Sequence, residues 1–182
     1  MKMTNSKYIK FLIVSIIIFS LAAINFLLSD VSNFSPIAAM ALFGGAYLKD
    51  KKIALLVPVL ALFISDLFIG FHGSMWAVYL SFVFVVLMGT QLKKTRILNI
   101  FVATVLSSTL FFVLTNFAVW VQGGLYTKDI AGLIQCYEMG IPFFKNTILG
   151  DMIFSGSLFG LYSIAQYKFP VLKTKHVTNQ GS

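Results

Sequence analysis

Hydrophobic residues fall along this chain in long unbroken blocks, without the stripes that give a helix or a strand one wet face. The blocks lie at about 8–28, 34–48, 53–71, 75–92, 97–122 and 142–167, divided by charged residues or by Gly and Pro. A helix that is apolar all round has no aqueous side, so blocks of nearly ~20 residues predict membrane spans. The pattern predicts an all-α, polytopic membrane protein: a six-transmembrane-helix bundle over 1–170, then a polar cytoplasmic tail at 171–182. The second block is short. Its ~15 residues rise only ~22 Å against a ~30 Å hydrocarbon core, which leaves a re-entrant segment as the alternative.

Charge decides between the two, because loops on the cytoplasmic side carry an excess of Lys and Arg. Six spans with both termini cytoplasmic put twelve of the fourteen basic residues inside: Lys2, Lys7, Lys10, Lys49, Lys51, Lys52, Lys93, Lys94, Arg96, Lys168, Lys173 and Lys175. Only Lys128 and Lys145 fall outside. A re-entrant second block moves the 49–52 cluster to the wrong face and inverts everything after it. The outer connections are then 29–33, a tight turn at 71–74 and a long loop at 123–141. Within that loop, 129–138 has the pattern of a short amphipathic helix on the outer surface.

Composition agrees with a membrane setting: 58% of residues are hydrophobic, 11% are charged and the mean hydropathy is +0.89. A soluble domain carries roughly 25% charged residues. The net charge of +8 does not point to nucleic acid, since the basic residues sit in short clusters between apolar blocks. The single cysteine, Cys136, excludes an internal disulfide and any CxxC spacing. The basic start of the first block resembles a signal peptide, but the run is longer than an h-region and lacks a small-residue cleavage site, so it is expected to be retained.

Charged groups inside a span are costly and normally mark a site. Asp66 and Asp151 qualify, at expected depths of ~6 Å and ~13 Å from the outer ends of their spans. Asn116 and Asn146 are expected in the same outer layer, with His72, Trp76, Trp120, Gln122, Tyr126 and Lys145 nearer the surface. This set predicts an outward-facing pocket of aromatic walls and few polar groups, the usual make-up of a small-molecule site. The plainer reading places Trp and Tyr in the interfacial belt and lets Asp and Asn bond between helices. His72 offers an imidazole to a metal or cofactor, although a turn histidine is more often only solvated. Cys136 is more often a packing residue than a ligand. Two small-residue stripes, Ala38/Ala41/Gly45 and Gly156/Gly160, suit close helix packing or a docking face. No Walker A, HExxH or GxSxG pattern occurs, so no catalysis is expected and active transport would need a partner or an ion gradient.

Five runs carry a resemblance: 33–47 (NFSPIAAMALFGGAY), 65–72 (SDLFIGFH), 78–81 (VYLS), 115–120 (TNFAVW) and 142–151 (PFFKNTILGD). They resemble an uncharacterised bacterial integral-membrane family related to the substrate-binding S components of energy-coupling factor transporters. The resemblance implies capture of a vitamin-like molecule from the extracytoplasmic side and release inward. It also implies a transmembrane energising subunit with ATPases as partner, and the bacterial cytoplasmic membrane as location. A corrinoid is one cargo it suggests, with His72 in the place of a cobalt-coordinating side chain. The rival expectation is a structural protein of the cell envelope resembling the rod-shape-determining proteins. A scaffold of that kind needs no outer pocket. An aspartyl intramembrane enzyme would want Asp66 and Asp151 in one wet cavity.

Overall fold

The computed structural model describes residues 8, 9, 12, 16, 33–48, 50–71, 73–92, 96–169 and 172. Among them the chain is all helical, with α1 (Ile37–Tyr47), α2 (Lys51–Ile69), α3 (Met75–Gln91), α4 (Ile97–Gln122) and α5 (Ile130–Lys168) and no strand. The first apolar block lies outside the described residues except for Tyr8, Ile9, Leu12 and Ile16, which are helical and exposed. His72, most of the expected tail and Lys2, Lys7, Lys10, Lys49, Lys93, Lys94, Lys173 and Lys175 also lie outside them. By length and composition, α4 and α5 are each able to cross a membrane.

The short second block becomes the centre of the molecule. Every residue of 37–46 is buried, as expected of a helix with no polar side, and α1 packs on all four other helices. Its 11 residues rise only about 16 Å. Small residues make this possible. A Cβ added to Gly45 would sit 2.2 Å from the Val86 carbonyl oxygen, and one added to Gly89 would sit 2.3 Å from that of Leu42. The α1 and α3 backbones therefore touch, which uses the Ala38/Ala41/Gly45 stripe inside the fold. On the other side, Phe43 meets Phe159 and Tyr162 edge-on at 5.2 and 5.3 Å, and Tyr47 lies 4.3 Å from Tyr162.

Lysine and aspartate tie the turn that follows. The Lys51 ammonium donates to the carbonyls of Gly45 and Leu48 at 3.0 and 3.1 Å, closing the end of α1. Asp50 caps α2 by accepting the Lys52 N–H at 2.9 Å. Gly70, at φ 101°, ends α2 in a conformation that disfavours a side chain.

The last helix differs from expectation. In place of a surface helix at 129–138 and a span from 142, one helix runs unbroken from Ile130 to Lys168. Asp129 starts it, its Oδ1 accepting the Gly132 N–H and the Thr127 hydroxyl, both at 2.7 Å. These bonds, the Gly132 one first, hold the Asp129 carboxyl below the usual carboxylate range. Pro142 removes one backbone donor, yet the helix continues because packing on α4 holds both sides of it. Gly132 is buried against the Thr127 turn, Cys136 and Gly140 lie against Asn116 of α4, and the Tyr137 hydroxyl donates to the Val113 carbonyl at 2.8 Å. Cys136 of the expected surface helix faces protein, while Ile130 and Ile134 stay exposed.

Candidate functional site

Among the described residues the most enclosed acidic side chain is Asp151, 2% exposed, whose Oδ2 accepts the Ser108 hydroxyl at 2.7 Å. Sequence places both groups simply. Ser107 and Ser108 interrupt an apolar helix, and Asp151 follows Gly150, where a Cβ would lie 3.2 Å from the Phe34 ring and 3.4 Å from the Ser35 nitrogen. That close approach sets the segment leading into α1 against α5. Ser81, Thr104, Ser107, Thr147 and Ser155 are also buried, and Thr147 and Ser155 lie one helical turn to either side of Asp151 on α5.

Asp66 has a different partner. It is half-buried near the end of α2, and its Oδ2 accepts the Tyr79 hydroxyl of α3 at 2.8 Å. Gly73, in the intervening turn, would place a Cβ 3.2 Å from the Gln122 side-chain oxygen, so this turn and the end of α4 share one rim. Counted from that rim at 1.5 Å per residue, the Asp66–Tyr79 pair lies about 6 Å down and Ser108 about 21 Å down. The two carboxylates do not share a layer. Asp151 is deeper than expected because α5 begins at Ile130, not at 142, and carries it to the middle of the bundle.

The other expected site residues divide likewise. The Asn116 amide turns back onto the Phe112 carbonyl at 2.8 Å, while its carbonyl oxygen lies against Gly140. The Trp120 indole donates to the Thr127 carbonyl at 2.8 Å, and the Lys128 ammonium, 5.8 Å from the Trp120 ring centroid, bonds the carbonyls of Trp120 and Gly123. Trp120 thus helps close the α4–α5 turn. Trp76 is 43% exposed near the start of α3, and Asn146 is half-buried on α5. Cys136 is buried, its thiol 3.4 Å from the Asn116 carbonyl, as a packing residue would be. Sequence reasoning passed over Tyr79 and Ser108, the partners of the two aspartates. The only signal for Ser108 was a pair of serines inside an otherwise apolar block.

Two grooves of about 400 Å³ open at the end opposite the rim. One, between α2 and α3, is walled by Leu55, Val83, Val86 and Leu87 with Lys51 and Lys52 at its mouth. The other, between α4 and α5, runs from Ile97 and Phe101 past Phe159 and Gly160 to Thr104 and Ser155. Neither is lined by an expected site residue, but the second ends one helical turn from Ser108 and Asp151. Among the described residues, no group of three His, Cys, Asp or Glu side chains gathers to hold a metal.

One family model matches the chain over residues 5–172, that of DUF6580, described as a family of unknown function. No curated protein and no solved structure matches.

Proposed function

We propose that this chain, which belongs to the DUF6580 family, is a multi-pass carrier of the bacterial cytoplasmic membrane that captures a small, vitamin-like molecule from outside. The observation that carries the reading is the carboxylate of Asp151, buried at mid-depth against the Ser108 hydroxyl in a core that also encloses a helix too short to span. Intramembrane ionisable groups mark ligand or ion pathways, and interrupted helices commonly frame such sites. A scaffold has no use for either.

The six-span arrangement with both termini inside fits the same reading. Lys51 and Lys52 begin α2, Arg96 caps α4 and Lys168 ends α5, all at one end, with Lys128 at the other. That asymmetry favours the first end as cytoplasmic. The second crossing then consists of α1 and the non-helical stretch 33–36 before it. Cargo would enter at the rim of Asp66, Trp76, Asn116 and Trp120 and pass Asn146 toward Asp151. A corrinoid would take His72, which follows Phe71 in the sequence, as its cobalt ligand. The partner would be an energising transmembrane subunit with ATPases, and the chain itself performs no catalysis.

The test is mass spectrometry of small molecules that copurify with the detergent-extracted protein, followed by thermal-shift titration with a vitamin panel including a corrinoid. One compound should stabilise the wild type and fail to stabilise the Asp66→Ala variant. If no compound in the panel binds and nothing copurifies, the carrier reading is wrong.

A further inference from the structure

We propose that Asp151 and the hydroxyls around it hold one monovalent cation, a proton or Na⁺, in the middle of the bundle. The first ground is charge. A carboxylate with 2% exposure, at the centre of a helix pair, is strongly disfavoured as a bare anion. Among the described residues, no basic side chain pairs with it. Helix α4 carries no titratable residue along its whole length, and α3 carries only Tyr79, already bonded to Asp66. Helix α1 carries only Tyr47, which packs on Tyr162 of α5 three turns away. On α5 itself, Glu138, Lys145, Tyr167 and Lys168 are exposed, and Cys136 and Tyr137 bond backbone carbonyls of α4. None of the described residues supplies the neutralising charge.

The second ground is a count of protons. The Ser108 hydroxyl oxygen lies 2.7 Å from Asp151 Oδ2 and 3.0 Å from the Thr104 carbonyl oxygen. One hydroxyl supplies one proton, so it satisfies one of these acceptors at a time. A proton on the carboxylate, or a cation bridging the pair, would satisfy both contacts at once.

The third ground is an unused ligand. Ser81, Thr104, Ser107 and Thr147 all donate to the carbonyl four residues back, the ordinary resting bond of a helical hydroxyl. Ser155 does not: 2% exposed and one turn after Asp151 on the same face, its oxygen has no partner. Thr104 occupies the matching place one turn before Ser108. The carboxylate and Ser108, with Thr104 and Ser155 each one helical turn away, would offer hard oxygen donors suited to a small cation. The α4–α5 groove reaches Thr104 and Ser155 and supplies a path from the basic end.

This inference extends the carrier reading by giving it an ion to couple to, and its test measures ion occupancy without any cargo. Full-length protein in detergent is unfolded thermally while NaCl replaces choline chloride at constant ionic strength, and its infrared spectrum is followed across pH. In the sodium case, Na⁺ but not choline raises the melting temperature saturably, the effect is lost in Asp151→Asn, and Ser155→Ala weakens the half-saturating Na⁺ concentration on the order of 10-fold. In the proton case, a protonated-acid C=O band is present at neutral pH, is absent from Asp151→Asn, and shifts in Ser155→Ala. If Asp151→Asn does not fold, the wild type and Ser155→Ala decide alone. The proposal is overturned when the wild type shows neither Na⁺-specific stabilisation nor an acid band at neutral pH. It is equally overturned when the observed effect is unchanged by Ser155→Ala and by Asp151→Asn.

Discussion

Replacing Gly45 by Ala should destabilise the protein more than any other single added methyl on α1. The new Cβ would lie 2.2 Å from the Val86 carbonyl oxygen and 3.1 Å from Gly89 Cα, and both are backbone atoms with no rotamer through which to escape. Relief requires α1 and α3 to separate, but α1 is enclosed on every side and has nowhere to go. Overpacking of a well-packed core costs about 1–3 kcal/mol, and a rigid backbone clash belongs at the top of that range. About 3 kcal/mol is roughly a 100-fold fall in the folded-to-unfolded ratio. Gly156→Ala is the control, since no atom lies within 4 Å of its added Cβ and the residue is exposed. Helix propensity alone should then stabilise it by about 0.5–1 kcal/mol. Reversible unfolding of both variants in mixed detergent micelles, followed by circular dichroism, measures the two changes. If Gly45→Ala matches the wild type, or both variants move in the same direction, the α1–α3 contact does not hold the core as described.

Two further outcomes follow from single hydrogen bonds. Tyr79→Phe should lose about 1 kcal/mol of stability, the low end for a bond to a carboxylate because both groups are half-exposed, and adding Asp66→Asn should cost less than the sum of the single changes. A double-mutant cycle on the melting data would expose an absent coupling. The Asp129 carboxyl is held below the usual range by the Gly132 N–H and Thr127, so its capping contribution is full above the ordinary carboxylate pKa, near 4. That contribution fades as pH falls through the lowered folded value. Hydrogen exchange at amides 130–134 should therefore lose protection on acidification in the wild type, and Asp129→Ala should lack it even at neutral pH. Acid-independent protection would show that Asp129 does not cap the helix.

Much of the fold was legible because apolar blocks answer to one constraint, the absence of a wet face. The positions of α2, α3 and α4 came close to the expected 53–71, 75–92 and 97–122. The short block around Ala38 and Gly45 was visibly anomalous in length, and its burial explains why. The α5 start was not legible. Charges at Asp129 and Glu138 looked like an aqueous loop, whereas the helix keeps them on an exposed side and turns Gly132, Cys136 and Gly140 inward. Of the expected site residues, both aspartates stood out as charges within apolar blocks, while Trp120 and Asn116 are occupied in local bonds.

By itself, the sequence determined that this chain forms helices without aqueous faces, that its carboxylates are rare, and that its basic residues gather between the blocks. Only the tertiary structure decided that Asp66 meets Tyr79, that Asp151 meets Ser108 some 15 Å deeper along the helices, and that Ser155 is left over. The reason is rotational. A helix apolar on every side gives no amphipathic signal for which face turns inward, so its rotation and depth are set by backbone contacts such as Gly45 on Gly89 and Gly150 on Phe34.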